Sequence, residues 1–341
     1  MADAVMLAVA GREVRVSNPN KVFFSKRGET KLDLINYYLS ISEAVMSTLG
    51  GRATLLQRFP DGAGGKNFFQ KRVAKGSPDW LHTTTVLTPN GTPSNALVLQ
   101  DMAHVTWAVQ MGCLGFHPWP FQAASPDVTD ELRIDLDPQP GTSFDMARTA
   151  AQHVKDLFDE LDLVAFIKTT GSRGLHIYVP LLPQWDSTEV RQASVAIARE
   201  LERRHPDILT AAWWKEERGE RIFVDYNQNA PHKTVFGAWC ARPRVGAQVS
   251  TPIHWGEVDT VDPNSLSIAT VPDRVANEGD PWAGYLGNPQ SIEVPLSWFW
   301  RDIDDGLMDA PWPPVYPKMP LEPPRVAPSR AASPAEPPDT A

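Results

Sequence analysis

The chain has 341 residues, 42% of them hydrophobic, with a formal net charge of −9 and two cysteines. That length exceeds what one core ordinarily fills, so two lobes or one large domain with a tail are expected, and no apolar run approaches the roughly 18 residues that a membrane span needs. Cys113 and Cys240 have no metal-ligand spacing, and residues 4–10 follow Asp3 without a basic lead-in, so neither a zinc knuckle, a disulfide framework nor a secretory signal is expected, and a cytoplasmic protein is.

The acidity is localised. Residues 255–311 hold eleven acidic and two basic side chains and carry the whole net charge. By contrast, residues 12–31 have six basic against two acidic side chains, and residues 52–75 six against one. Segregation of this kind permits a basic groove on an acidic protein.

Thr30-Lys31-Leu32-Asp33 is a capping-box pattern, and Leu32, Ile35, Tyr38, Leu39 and Val45 share one face, which predicts a single helix over 31–49. Residues 53–107 read as β-rich, with turns at Pro60-Asp61-Gly62 and Asn90-Gly91. Further on, Leu132, Ile134 and Leu136 alternate with Arg133, Asp135 and Asp137 as in a half-buried strand. A helix follows with Met146, Ala150, Val154, Leu157 and Phe158 inward, then strands at 164–168 and 175–179, a helix from about Ser187, and a strand at 222–226. This βαββαβ order is the ferredoxin-like unit that also underlies the RNA-recognition module. Its first strand is expected between the third and fourth, with both helices on one face and the other face open. Period-2 alternation then turns Asp135, Asp137, His176 and Asp225 to that open face.

Carboxylates gathered in this way repel unless a cation lies between them, and hard oxygen donors suit magnesium or manganese. Two such ions promote in-line phosphoryl transfer. The turn Thr170-Gly171-Ser172-Arg173-Gly174 offers backbone N–H groups, a hydroxyl and a guanidinium to a polyphosphate, and Arg242 and Arg244, beyond the last strand, can reach the same oxygens. Phe68 and Phe69 sit among Lys66, Lys71 and Arg72; neighbours in a strand point to opposite faces, so one is expected in the core while the other stacks on a base. Residues 311–341 contain eleven prolines, and a disordered tail is expected there.

Six spaced motifs agree in order with one family. They are Ser17-Asn18-Pro19-Asn20-Lys21-Val22, Arg58-Phe59-Pro60-Asp61-Gly62, Phe68-Phe69-Gln70-Lys71, Ile134-Asp135-Leu136-Asp137-Pro138, Thr170-Gly171-Ser172-Arg173-Gly174-Leu175-His176, and Phe223-Val224-Asp225-Tyr226-Asn227-Gln228-Asn229. Over about residues 14–255 the sequence resembles the polymerase domain of bacterial DNA ligase D and its standalone relatives, in the archaeo-eukaryotic primase superfamily. Arg173 stands where such relatives usually carry lysine.

The resemblance implies an α+β, two-lobed primase-polymerase fold: a catalytic domain at 1–310, with an N-terminal lobe to about 130, an RRM-like core at about 131–255 and an acidic extension at 256–310. It implies that Asp135, Asp137 and Asp225 ligate two divalent ions, manganese or magnesium. Ser172, Arg173, Gly174 and His176, with His117, Gln228 and Arg242, would bind the incoming nucleotide in a pocket lined by Lys71. Phe68 or Phe69 would stack at the template, and Lys21 and Lys31 would hold the 5′-phosphate across a gap or break. The expected activity is gap filling in DNA repair, in end joining or excision repair, with ribo- or deoxyribonucleotides added to a primer 3′-hydroxyl. The setting would be nucleoid-associated, with a separate ligase and other repair proteins for sealing and end cleaning. A primase, or a non-catalytic RRM-like binding module, are the alternatives. The second has no use for carboxylates on its binding face.

Overall fold

The Thr30 side chain accepts the amide of Asp33, and the Asp33 carboxylate takes the Thr30 N–H at 2.8 Å, so the first helix starts where its capping box predicts. The structure, a computed structural model, describes residues 3–331. Before this helix lie the strands β1 (Ala4–Val9), β2 (Arg12–Ser17), β3 (Val22–Phe24) and β4 (Glu29–Thr30). The single helix expected over 31–49 is two, α1 (Lys31–Ser40) and α2 (Ser42–Leu49), broken at Ile41 with φ −119° and ψ 32°. The Ser40 hydroxyl donates to the Tyr37 carbonyl at 2.8 Å, a local bond that competes with the helical ladder.

The rest of the N-terminal lobe is β5 (Arg52–Arg58), β6 (Phe68–Gln70), β7 (Thr83–Leu87), β8 (Pro93–Val98), α3 (Met102–Gln110) and β9 (Cys113–Gln122), with β5 paired to β6, β8 and β9. Then come β10 (Thr129–Pro138), α4 (Phe144–Glu160), β11 (Phe166–Thr169), β12 (Leu175–Trp185), α5 (Ser187–Arg204), β13 (Leu209–Thr210), α6 (Lys215–Arg218) and β14 (Ile222–Asp225). They are followed by β15 (Pro252–Ile253), α7 (Val271–Glu278), α8 (Glu293–Asp304) and α9 (Pro328–Ala331). The second sheet runs β13-β14-β10-β12-β11-β15, so the first strand of the βαββαβ unit does lie between its third and fourth, within an α+β fold. The edge strands β13 and β15 were not expected; at two residues each they are too short to show a period.

Leu132, Ile134 and Leu136 are buried against Ala150, Val154 and Phe158 of α4 and Val190, Ala193 and Ile197 of α5. Full burial of one such aliphatic or aromatic side chain contributes about 1.5–3 kcal/mol. A slip of one residue would drive Asp135 into this core, so the register of β10 is fixed by hydrophobic burial.

The opposite face is not open as expected. Tyr178 stands there against Trp282 and Tyr285, and Lys168, Arg133 and Glu131 are buried on it. Arg133 donates to Glu131 at 2.8 Å, and Tyr285 donates to the same carboxylate at 2.8 Å. The acidic C-terminal part supplies this cover: Leu266, Val271, Trp282 and Tyr285 join the core of the N-terminal lobe, while Ile292 and Phe299 join the core under the second sheet. Both lobes therefore contain chain from beyond residue 255.

The proline-rich segment is ordered through its first half. Trp312 and Tyr316 are buried with Ala230, and Arg325 donates to Glu322 at 2.5 Å and to the Tyr316 carbonyl at 2.8 Å. Composition hides two aromatic anchors and one ion pair among the prolines, and these suffice to dock an already stiff chain. Residues 332–341 of the expected tail lie outside the described residues. Among the described residues no helix is long and apolar enough to cross a membrane.

Candidate active site

Strand pairing brings the predicted side chains together. Asp135 of β10 is the direct cross-strand partner of His176 on β12 and of Asp225 on β14, and Asp137 lies two residues along on the same face. Nε2 of His176 lies 3.2 Å from Asp135 Oδ1. Burial pushes the Asp135 carboxyl up to about 6, against the pull of Lys168 and Arg242. Burial and then the charge of Asp135 push Asp225 up to about 6 as well, and the same two causes raise Asp137.

Among the described residues no three carboxylate, imidazole or thiol groups stand close enough, as placed, to hold an ion. Asp137 is turned to the Gln139 amide at 3.2 Å, and Asp225 to the Gln228 amide at 2.8 Å. Each amide partly offsets a repulsion that a cation would relieve in full. The donor set fits a hard divalent cation in chemistry: carboxylates on one face, two of them made reluctant to ionise by burial.

Lys168 is a site residue that the sequence reading passed over. It is the cross-strand partner of His176 and fully buried, and burial, then the charge of Arg242, lowers its basicity well below the usual lysine range; its Nζ bonds His176 Nδ1 at 2.9 Å, Ser250 Oγ at 2.6 Å and the Phe236 carbonyl at 3.1 Å. The bond to Nδ1 sets the tautomer of the ring, whose Nε2 faces Asp135. Burial, then the cations Lys168 and Arg242, hold His176 neutral far below its usual range. The available signal was a lysine inside an otherwise uncharged strand, in register with a histidine already singled out.

The phosphate turn works differently from its expected form. The amides of Ser172 and Gly174 both donate to Thr170 Oγ1 at 3.2 Å, so those N–H groups are already engaged. What the turn presents is side chains: Arg173 is exposed, and Ser172 Oγ accepts from Arg244 at 2.7 Å. Arg242 donates to the Thr170 carbonyl and lies 3.9 Å above the Phe236 ring. Gly171, at φ +68°, has no room for a side chain, since a Cβ would meet Arg242 Cγ at 2.8 Å; at Gly174 it would meet the Leu136 carbonyl at 2.5 Å. Both glycines let the turn lie flat against β10 and Arg242.

Beside the carboxylates is a cavity of about 510 Å³ that Phe69, Lys71, His117 and Gln228 share. His117 stands edge-on to Phe69 at 5.6 Å and to Phe236 at 5.1 Å, and its buried Nε2 has no hydrogen-bond partner. Burial, then Arg242 and Lys168, lower its basicity to about 3, so it is a neutral group with an unmet, buried polar atom. Neither phenylalanine is core, contrary to expectation: Phe68 and Phe69 are 47% and 52% exposed, because β6 is a three-residue edge strand. Phe68 instead carries the Arg58 guanidinium at 5.1 Å.

The lysine pair lies in the N-terminal lobe. Lys21 is half-buried, with its ammonium at the surface, and bonds the exposed Asp61 at 2.9 Å. Lys31 is buried and donates to the Ser17 carbonyl at 2.6 Å and to the carbonyl and side-chain oxygens of Gln110 at 3.2 Å. Its three protons are committed internally, so of the two only Lys21 has an ammonium at the surface. A larger cavity of about 600 Å³, bordered by Met46, Gln122, Pro183 and Leu286, holds none of the predicted site residues.

Residues 30–282 match the family described as LigD, primase-polymerase domain. The chain is 30% identical over 286 residues to the multifunctional non-homologous end joining protein LigD of Mycolicibacterium smegmatis, covering 83% of this chain and 37% of that protein. It is 33% identical over 299 residues to the Pseudomonas aeruginosa protein of the same description, covering 86% and 35%. The polymerase domain from Mycobacterium tuberculosis ligase D in complex with DNA is similar in structure, with a TM-score of 0.76, 29% identity, and cover of 81% of this chain and 99% of that one. The chain thus spans little more than a third of the length of these curated relatives.

Proposed function

Because the chain belongs to the LigD primase-polymerase domain family, we propose that it is a metal-dependent, DNA-directed nucleotidyltransferase that fills short gaps in DNA during repair by end joining. The observation that carries this reading is the direct opposition of Asp135 and Asp225, beside a cavity that His117 lines together with Gln228, whose amide bonds Asp225 at 2.8 Å. Divalent cations, magnesium or manganese, held by Asp135, Asp137 and Asp225 would supply charge neutralisation on the attacking and leaving oxygens of phosphoryl transfer. The rest is the work of this chain's own side chains. Arg242, Arg244 and Arg173, with Ser172 Oγ, surround the turn where a triphosphate would lie and match its charge. His176, held neutral by burial and then by the charges of Lys168 and Arg242, turns Nε2 to the carboxylates without adding a charge beside them. Phe69 and Phe68 offer exposed rings for base stacking, with Lys71 lining the cavity.

The DNA in the related polymerase-domain structure and the end-joining names of the relatives support gapped or broken DNA as the substrate, with nucleoside triphosphates as co-substrate and a ligase to seal the product. They do not favour the primase alternative. A binding module without activity is opposed by the carboxylates, which repel a phosphate backbone. The test is primer extension on a duplex with a short gap, comparing wild type with Asp135→Ala, Asp137→Ala and Asp225→Ala. Each variant is expected to bind DNA as wild type does and to add no nucleotide. Full extension by any of the three removes that residue from the reaction.

A further inference from the structure

Beyond the family-matched residues 30–282, the C-terminal segment returns to the site. Val315 and Tyr316 line the same 510 Å³ cavity as Phe69, Lys71, His117 and Gln228. The segment is firmly held. Arg191 of α5, fully buried, pairs with Asp309 at 2.9 Å, donates to the Ala310 carbonyl at 2.8 Å and lies 4.1 Å from the Trp312 ring, whose indole N–H donates to Asp309 at 2.8 Å. Tyr316 donates to the Pro231 carbonyl, and its ring is stacked with His232. Glu322 accepts from the Trp312 amide at 2.8 Å and the Met319 amide at 3.0 Å; desolvation would raise its carboxyl, but these bonds and Arg325 hold it down to about 2.

The same clamp reaches a candidate catalytic carboxylate. Nε of Arg191 donates to Asn227 Oδ1 at 2.7 Å, the Asn227 amide N–H donates to Asp225 Oδ1 at 3.0 Å, and the Asn227 side chain donates to the Pro311 carbonyl at 3.1 Å. Segment and carboxylate are thus parts of one hydrogen-bonded unit. Chemistry tells which part of a ligand the segment meets. The arginines gather at the turn 170–174, and Arg242 lies over the Phe236 ring that His117 meets edge-on. The cavity combines Leu55, Phe69, Val86, Trp119 and Tyr316 with Lys71 and Lys233, a mainly apolar lining with a few polar groups, suited to a flat base and its sugar.

We infer that the segment from Asp309 to Arg325 is a fixed wall of the nucleotide site, with Val315 and Tyr316 bounding the space that receives the base and sugar of the incoming nucleotide. The inference rests on the nucleotidyltransferase reading above and deepens it. Val315 is 67% exposed at the cavity, so its replacement leaves the fold intact. In the full chain, Val315→Trp puts an indole into the cavity. Binding of ATP with magnesium, measured by calorimetry, should weaken about tenfold, and the nucleotide KM in primer extension should rise by a similar factor, while kcat, DNA affinity and melting temperature stay at wild-type values. Unchanged ATP affinity in Val315→Trp overturns the inference, as does a wild-type protein that binds no ATP. An equal loss of DNA affinity also overturns it, by assigning the segment to the DNA groove. Weaker ATP binding by Val315→Trp in a protein that extends no primer would remove the polymerase reading and leave the wall in place.

Discussion

Asp135 and Asp225 are direct partners across the β10–β14 pairing, and each carboxyl is pushed up to about 6 from an ordinary 3.8. Since the folded state holds these protons more tightly than the unfolded chain, stability from this source is complete below pH 3.8 and is lost as pH climbs through about 6. Asp135 keeps 21% of its side-chain surface exposed, which reduces the effect. In chelator at pH 8, Asp135→Asn is expected to be more stable than wild type by about 1–2 kcal/mol in urea unfolding, and the gap should close toward pH 4. Millimolar manganese should narrow it at pH 8 by stabilising wild type alone. A variant no more stable than wild type would mean that burial does not penalise the ionised Asp135 carboxyl.

Lys168 Nζ bonds His176 Nδ1 at 2.9 Å and so sets which ring nitrogen carries the proton. Lys168→Met fills the same space without the donor, so the ring can take the other tautomer. The expected result is a nucleotide KM raised about tenfold, or ~1.4 kcal/mol, with DNA affinity unchanged, and a changed pattern of His176 nitrogen shifts in NMR. If tautomer and KM both stay as in wild type, Lys168 serves packing only.

Arg191 has no surface exposure, and its carboxylate partner comes from Asp309. Truncation after Met308 strands that charge and should destabilise the protein by about 3–5 kcal/mol in thermal or urea unfolding. Arg191→Met in the truncated background should recover a large part of the loss. No recovery would show that the aromatic anchors Trp312 and Tyr316, and not the ion pair, hold the segment.

Of the N-terminal lysine pair, only Lys21, bonded to the exposed Asp61, has its ammonium at the surface where a terminal 5′-phosphate could compete for it. A wild-type preference for a phosphorylated over a hydroxyl-ended gap of about 1–3 kcal/mol, the scale of hydrogen bonds to charged groups, should vanish in Lys21→Ala, with extension of an open primer-template retained. Lys31→Met should lower the melting temperature instead, since it leaves the Ser17 and Gln110 oxygens without their donor. Discrimination lost only in the Lys31 variant would reverse the two roles.

The sequence alone determined what depends on near neighbours and on period. Alternation at 132–137 placed Asp135 and Asp137 away from the helices, the capping box placed the start of α1, and six ordered motifs named the family to which the chain belongs. Local chemistry sufficed because a strand's facing and a helix's first turn are set within a few residues. Tertiary structure decided the rest. The face expected to be open is covered by Trp282 and Tyr285, more than a hundred residues from the strand they meet; the Ser172 and Gly174 amides are spent on Thr170; and Lys31 is drawn inside by Gln110. The proline-rich segment shows the reason most clearly. Its composition predicts no core of its own; it is held by Trp312 and Tyr316 packed with Ala230 and by Asp309 just before it, which pairs with Arg191, buried on a helix about 120 residues earlier. A demand for a partner across that distance is a property of the folded chain, and no local pattern records it.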